Sequence, residues 1–396
     1  MIKVKLYKST KEKEVFYYFN AKEEKLWLFR HKYYDASGKR KEKKKSGFKT
    51  EKAAIKALLE VKAQTLRGET KSIENDTLTV SQWLDIWYET NHKKWKPATA
   101  AQRESFIRLQ LKPLIGHIKL NKLDKLIYQR QFLDKLEGKY KPSTIRSFHV
   151  IMRTAINAAV EEEILVRNKL TSAALPAKRE GISDDNFLSP DQLNVFLKTV
   201  EKNEDITHST LFHLLAYTGM RKGEALGLQW SNIDFDNHTI EVIRHRGTHG
   251  LGPTKTKNSE RTIKVDELVI ELLSTYQKAL KPILFKYGEK IEPTTFVFLS
   301  LGSGKPLAPT GVNANFNRMV SLAKLPKTTV HGLRHTHATI LLNNGIPVKA
   351  IAERLGNTPE MIHTVYGHVL KELEDKTVNV FNMSLQQSGA KSGANS

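Results

Sequence analysis

The chain has no cysteine among its 396 residues. That excludes a disulfide framework and a thiolate metal site. It also lacks any apolar run approaching the ~20 residues that a membrane-spanning helix needs. Its first ten residues, MIKVKLYKST, carry no apolar core of the signal-peptide kind. Acidic residues are scarce beside basic ones: 42 Asp+Glu face 64 Lys+Arg, a formal net charge of +22. An excess of that size calls for a polyanionic partner. With no membrane segment in view, a cytoplasmic protein whose polyanion is nucleic acid is expected. Hydrophobic residues make up 39% of the chain, enough for ordinary globular cores. The length fits roughly two to four domains.

Charge is not evenly spread. Residues 1–70 hold 20 Lys+Arg and 9 Asp+Glu, an excess of +11 that is half of the total. Within them, residues 26–34 read as an aromatic-rich strand and Asp35-Ala36-Ser37-Gly38 as a turn. Residues 39–45 read as a second, very basic strand leading into Gly47-Phe48. Thr50 caps a helix over residues 51–65, with Ala53, Ala57, Leu58 and Val61 on one face. A small sheet on one helix, basic and aromatic outside, suits insertion of strands into a DNA groove. Arg30, Lys32, Lys41, Lys43, Lys44 and Lys45 are the candidate contacts. The competing reading is a solvated charge run, with Trp27, Phe29 and Tyr33 forming a small core.

Residues 68–78 read as a polar linker. A compact helical unit follows over 79–172. Thr79 and Gln82 form a capping-box pattern, and Val80, Trp83, Leu84 and Trp87 follow at helical spacing. Pro97 and Pro142 each sit just inside a helix start. The helix after Pro142 places Ile145, Phe148, Met152, Ala155 and Ala159 on one face, and a turn is expected at Gly116. Residues 173–187 read as a second linker. Ser189-Pro190-Asp191-Gln192 then opens a mixed domain over 188–383. There a helix ends near Thr218-Gly219, residues 239–246 alternate like a strand, and residues 261–265 are its expected partner. Residues 384–396 have the composition of a disordered tail.

The last domain carries the chemistry. Arg221 lies in Thr218-Gly219-Met220-Arg221-Lys222-Gly223-Glu224, at a helix start where backbone N–H groups favour an anion. His331 and Arg334 share one helix face in His331-Gly332-Leu333-Arg334. Asn357 and Tyr366 come later. Two arginines from separate segments can clamp both non-bridging oxygens of a phosphodiester, because the guanidinium fork donates two parallel hydrogen bonds and keeps its proton. Tyrosine, with a free pKa of ~10, is a weak nucleophile that needs such neighbours. The histidine can bond the phosphate or take the nucleophile's proton. The departing 5′ oxygen needs a proton, and a lysine on the hairpin Gly252-Pro253-Thr254-Lys255-Thr256-Lys257-Asn258-Ser259 could supply it.

These stretches, in this order, resemble the tyrosine recombinases of the phage or conjugative-element integrase type. The resemblance is carried by TGMRKGEALGLQW, PTKTKNSERTI, HGLRHTHATILL and the block from Arg354-Leu355-Gly356 to Tyr366-Gly367-His368. It implies an α+β, mainly helical protein in three parts. These are a three-stranded sheet plus helix that binds arm-type DNA (1–70), an SAM-like core-binding unit (79–172) and a mixed catalytic domain (188–383). It implies catalytic roles for Arg221, Lys255, His331, Arg334, Asn357 and the nucleophile Tyr366, which would leave a 3′-phosphotyrosyl bond. Lys257 rivals Lys255 as general acid, and Glu224 has a supporting role. No metal and no nucleotide cofactor are expected. The implied partners are double-stranded DNA at core and arm sites, three further copies in a tetramer, and an excisionase and a host DNA-bending protein as accessory candidates. The work would be done on DNA in the host cell, at the nucleoid. One departure stands out: Asn357 occupies a position where the family usually has histidine. An amide can donate to a phosphate oxygen but cannot carry charge or shuttle a proton.

Other readings compete. Asn357 opens the alternative of a catalytically silenced DNA-binding accessory protein. A type IB topoisomerase uses similar groups without partner sites. A metal-dependent nuclease would need an acidic triad that does not stand out. His331, His335 and His337 could form a metal cluster, but no carboxylate or cysteine nearby completes it, so His335 and His337 read as flanking structural residues. The apolar residues Leu373, Val378, Val380 and Phe381 would either dock on a neighbouring protomer or cover this domain's own core.

Overall fold

A computed structural model describes residues 5–35, 37–177, 186–253 and 259–366. The chain divides into two compact units between residues 180 and 181.

In the first unit, β1 (Tyr7–Lys8), β2 (Val15–Phe19), β3 (Lys25–Tyr34) and β4 (Arg40–Phe48) form an antiparallel sheet in sequence order. The expected three strands are joined by β1. Its two residues pair with Tyr17 and Phe16, and the Tyr7 ring stacks on Tyr17 at 5.0 Å. Thr50 caps the helix Glu51–Leu66 by accepting a hydrogen bond from the Ala53 backbone N–H. The buried positions on that helix are Ala54 and Leu58, whereas Ala53 is exposed. Val15 and Phe29 complete the small core, with Trp27 packed at its margin. Phe29 and Tyr33 are buried, so for these two aromatics the core reading holds.

The stretch 68–78 is more than a linker. Thr70–Glu74 is a short helix with Thr70 and Ile73 buried. Lys43 ties it to the sheet, donating to the Ile73 carbonyl at 2.7 Å and pairing with Asp76. Polar composition hid this docking because a single isoleucine does the burying.

The helical part follows its capping signals. Thr79 and Gln82 make the reciprocal capping box of helix Val80–Asn91. Helices Pro97–Phe106 and Pro142–Glu161 begin on their prolines. Val80, Trp83, Leu84, Trp87, Ile145, Met152, Ala155 and Ala159 are all buried in one core. The Trp83 indole N–H donates to the Ala155 carbonyl at 2.8 Å, which satisfies the polar edge of a buried ring.

The second unit opens with helix Pro190–Asn203, under a Ser189–Gln192 capping box, and helix Ile206–Thr218. The strand expected over 239–246 is in fact two. β6 (Thr239–Val242) pairs with β5 (Ile233–Asp234) and with β9 (Arg261–Lys264), while β7 (Arg244–Gly247) turns away to pair with β8 (Gly250–Pro253). Ile240 and Val242 face the core, but every residue of β7 is only partly buried, so the alternation continues in sequence while the burial does not. Helices Glu267–Lys286, Pro309–Leu322, Val330–Asn343 and Val348–Leu355 follow, with a last helical stretch over 359–366. Phe196, Phe212 and Phe316 cluster in the core, Phe212 meeting the other two rings edge to face. No helix among the described residues is long and apolar enough to cross a membrane.

Candidate active site

Arg221 stands between two turns that aim it. Helix Ile206–Thr218 ends at Gly219, whose φ of 64° is left-handed. A Cβ there would also lie 2.6 Å from the Leu355 side chain and 2.9 Å from His337. Glycine is therefore required twice, for the turn and for the close approach. Two residues on, Arg221 caps the short helix Lys222–Ala225. Its guanidinium donates to Glu224 Oε1 at 2.7 Å, and its backbone N–H donates to Glu224 Oε2 at 3.0 Å.

The other face of the Arg221 guanidinium holds the segment that follows helix Val348–Leu355. Nη2 donates to Asn357 Oδ1 at 2.7 Å and reaches the Gly356 carbonyl at 3.4 Å. Gly356, with φ 64°, ends that helix in the left-handed conformation. Asn357 thus uses its oxygen to hold an arginine, a task that a protonated histidine at this position would oppose by repulsion.

Arg334 comes from helix Val330–Asn343 and is 3% exposed. Its Nη1 donates to the Gly219 carbonyl at 2.9 Å. Its Nη2 is buried without a hydrogen-bond partner among the described residues. Burial, then the like charge of Arg221, draws its pKa down to about 9, so it keeps its proton at neutral pH.

Two arginines that the sequence reading passed over complete the frame. Arg261, which opens β9, donates to Glu224 Oε2 at 3.0 Å and to the Arg354 carbonyl at 2.7 Å. Arg354 in turn donates to His337 Nε2 and to the carbonyls of Lys264 and Tyr217. Side chains therefore connect Arg221, Glu224 and Arg261 to the backbone of the turn that carries Asn357. Burial raises the pKa of Glu224, but Arg261 and Arg221 outweigh it and hold the carboxyl below its usual range. The only hint of Arg261 in the sequence is a charged residue at the edge of an apolar-alternating strand, which is commonplace.

Three guanidinium groups thus gather around one buried carboxylate. Arg221, Arg261 and Arg334 against Glu224 leave an excess of positive charge where water is largely excluded. Buried charges are ordinarily paired. The excess, with an unpaired Arg334 N–H, is suited to an incoming anion with several oxygens.

Tyr366, at the end of the last helical stretch, is 5% exposed and packs with Ala338, Leu342, Ile351, Ala352, Leu355 and Ile362. Burial pushes its phenol up to about 12, with Arg334 pulling the other way. Its hydroxyl lies 2.8 Å from His335 Nδ1. His335 is therefore not merely a flanking residue, as the sequence reading had it. Its spacing of four from His331 was the available signal, and the two rings meet edge to face at 4.9 Å. His331 opens onto a cleft of about 380 Å³ lined also by Lys222, Asn313, Asn317, Thr329 and Val330. The surrounding protein, then His335, Arg334 and Arg221, lowers the His331 pKa. His337 is neutral and structural: Nδ1 bonds the Ala216 carbonyl at 3.0 Å, and burial draws its pKa down to about 4.

The predicted residues divide accordingly. Arg221, Glu224, Arg334, Asn357 and Tyr366 are brought together with His331 in the second unit. Lys255 and its rival Lys257 lie outside the described residues, as do His368, Leu373, Val378, Val380, Phe381 and the tail over 384–396. Of the N-terminal candidates, Arg30, Lys32, Lys44 and Lys45 are exposed. Lys43 is committed to Asp76 and the Ile73 carbonyl, and Lys41 to Asp35 and Glu74. The histidine metal cluster does not assemble. Among the described residues the one group with metal-ligand spacing is Glu204, Asp205 and His208, away from this site in sequence.

Comparison with known proteins bears on all three parts. Residues 186–372 match the phage integrase family, residues 7–65 an arm DNA-binding domain, and residues 79–137 the N-terminal SAM-like domain of phage integrases. The tyrosine recombinase XerC of Pediococcus pentosaceus is 30% identical over 237 residues, which span 59% of this chain and 71% of that protein. The integrase of Staphylococcus phage L54a is 27% identical over 346 residues, spanning 80% of this chain and 96% of that one. Among solved structures, the Tn1549 transposon integrase in complex with transposon right end DNA superposes with a TM-score of 0.64 at 23% identity, covering 75% of this chain and 99% of that one. A lambda integrase tetramer bound to a Holliday junction gives 0.57 at 17% identity, covering 89% and 95%.

Proposed function

The chain belongs to the phage integrase family of tyrosine recombinases, and from that premise we propose how its own residues carry out site-specific strand exchange. The observation that supports the reading best is the unbalanced cluster of Arg221, Arg261 and Arg334 around Glu224. A scissile phosphate would supply the missing negative charge. Arg221 and the unpaired N–H of Arg334 would hold its non-bridging oxygens and stabilise the charge that builds up on them during attack. Low local polarity strengthens that stabilisation.

The Tyr366 oxygen attacks phosphorus and the bond to the 5′ oxygen breaks. The products are a 3′-phosphotyrosyl bond and a free 5′ hydroxyl. Lys255, or Lys257, protonates the departing oxygen. His331, at the lip of the cleft, contacts the phosphate. Asn357 acts by holding Arg221, which preserves activity without the usual histidine and weighs against a silenced accessory protein. The phosphotyrosyl bond conserves the bond energy, so a second 5′ hydroxyl can reverse the step with no external energy source.

On this reading the N-terminal sheet, residues 1–70, binds arm sites through Arg30, Lys32, Lys44 and Lys45. The helical unit, 79–172, binds the core site, and 188–383 cleaves. Tethering the binding modules raises the effective concentration of the second contact. Four copies act on two duplexes to integrate or excise a mobile element, at the nucleoid of a bacterial host, with an excisionase and a DNA-bending protein as candidate accessories.

The test is relaxation of supercoiled plasmid in EDTA, scored beside an SDS-resistant protein–DNA adduct. The plasmid carries the end sequence of the element that encodes the chain. Wild type should give both products and Tyr366→Phe neither. Adduct formation by Tyr366→Phe would sink the assignment, and binding without adduct by wild type would favour the accessory protein.

A further inference from the structure

We propose that His335, one position beyond the second active-site arginine, is the group that takes the proton from Tyr366 during strand cleavage. This inference rests on Tyr366 being the nucleophile.

The geometry carries it. Among the described residues the hydrogen-bond partner recorded for the Tyr366 hydroxyl is His335 Nδ1, at 2.8 Å. That is within the reach a general base needs. The two rings lie 5.6 Å apart and are tilted by 59° rather than stacked. His331, the histidine that sequence reasoning offers for proton transfer, is exposed to the cleft and touches His335 rather than the phenol. The two histidines therefore divide the work: His331 faces the DNA and His335 faces the nucleophile.

The protonation state agrees. The titratable and charged groups recorded against His335 are His331 and Arg334 on its own helix and Tyr366 across from it. Burial, then the charge of Arg334, lowers the His335 pKa. The imidazole is neutral at physiological pH, and one nitrogen has a free lone pair. For Tyr366 to donate, the ring hydrogen sits on Nε2 and Nδ1 accepts. A phenol pushed up to about 12 by burial does not ionise unaided, so an acceptor in contact is what its attack requires.

The step balances. The Tyr366 proton passes to Nδ1 as the phenolic oxygen bonds to phosphorus. The bond from phosphorus to the 5′ oxygen breaks, and that oxygen takes its proton from the hairpin lysine. In religation the 5′ hydroxyl gives its proton back to the hairpin lysine as it attacks, the phenolic oxygen leaves, and His335 returns the proton to it.

The experiment measures initial rates of SDS-resistant adduct on the same plasmid in EDTA, from about pH 5 to 8. It compares wild type, Tyr366→Phe, His335→Ala and His335→Asn. Asparagine keeps much of the volume and a hydrogen-bond partner for the hydroxyl but cannot take a proton, so it guards against a mere packing defect. Both His335 variants should bind the DNA as wild type does and form adduct about 100-fold more slowly. The fall in wild-type rate on the acid side should vanish in both. Wild-type rates in either variant, or an acid limb that survives in both, would overturn the inference. So would full recovery in His335→Asn, which would reduce His335 to holding the hydroxyl. Absence of adduct in wild type, or adduct with Tyr366→Phe, would instead overturn the assignment of Tyr366.

Discussion

In the N-terminal sheet, Arg30, Lys32, Lys44 and Lys45 are exposed and spread over two paired strands. In the second unit, Arg221 and Arg261 both bond the buried Glu224 carboxylate, and Arg334, near enough to sense its charge, donates to the Gly219 carbonyl. The first arrangement offers many interchangeable charges in water, where screening is strong and each is worth little. The second offers few charges in a poorly polarisable interior, where each is worth much and position decides the outcome. Under the proposed function, the same residue types would serve two purposes: attraction to a polyanion in general, and chemistry at one of its phosphates.

Substitutions can break that contrast or sharpen it. The largest effect after loss of the nucleophile belongs to Arg221→Lys. It keeps the charge but cannot hold Glu224, Asn357 and a phosphate together. Adduct formation should fall by about 100- to 1000-fold, the scale for losing one stabilising donor. A rate near wild type would mean that charge alone suffices, as it does in the sheet.

Glu224→Gln should come next. It leaves the buried Arg261 and the half-buried Arg221 without their counter-charge, at a cost of about 3–5 kcal/mol in unfolding free energy, read by denaturant titration. The pH dependence has a definite sign. The folded pKa of Glu224 lies below the unfolded one, so its stabilisation is complete above the unfolded carboxyl value and is lost as pH falls through the folded value. Wild type should therefore lose stability over that acid range and Glu224→Gln should lose less. Parallel curves would show that the pair contributes no net stability.

The smallest effect is expected at the sheet. Lys44→Ala or Lys45→Ala should leave adduct formation at the core site unchanged. Each should lower the steepness of the salt dependence of DNA binding by about one counterion. Lys43→Ala should behave differently, weakening the fold of the first unit, because Lys43 anchors the helix Thr70–Glu74.

Much of this was legible in the chain. Capping boxes and prolines marked the helix starts at Thr79, Pro97, Pro142 and Ser189, because a cap is a local contact among residues three apart. The arginine, histidine and tyrosine boxes were legible because their chemistry fixes residue type. What escaped was set by contacts between segments distant in the chain. The docking of residues 70–74, the break between Val242 and Arg244, and the choice of Ala54 over Ala53 all depend on what lies opposite.

By itself, then, the sequence determined the charge excess that points to a polyanionic partner, the helix starts marked by caps and prolines, and the pair of arginines with a late tyrosine. Composition and local spacing suffice for those. Only the tertiary structure decided that Arg261 shares Glu224 with Arg221, that Asn357 holds Arg221 by its oxygen, and that the tyrosine hydroxyl meets His335 rather than His331. The physical reason is that hydrogen-bond partnership is settled within about 3 Å, a distance that spacing along the chain does not encode.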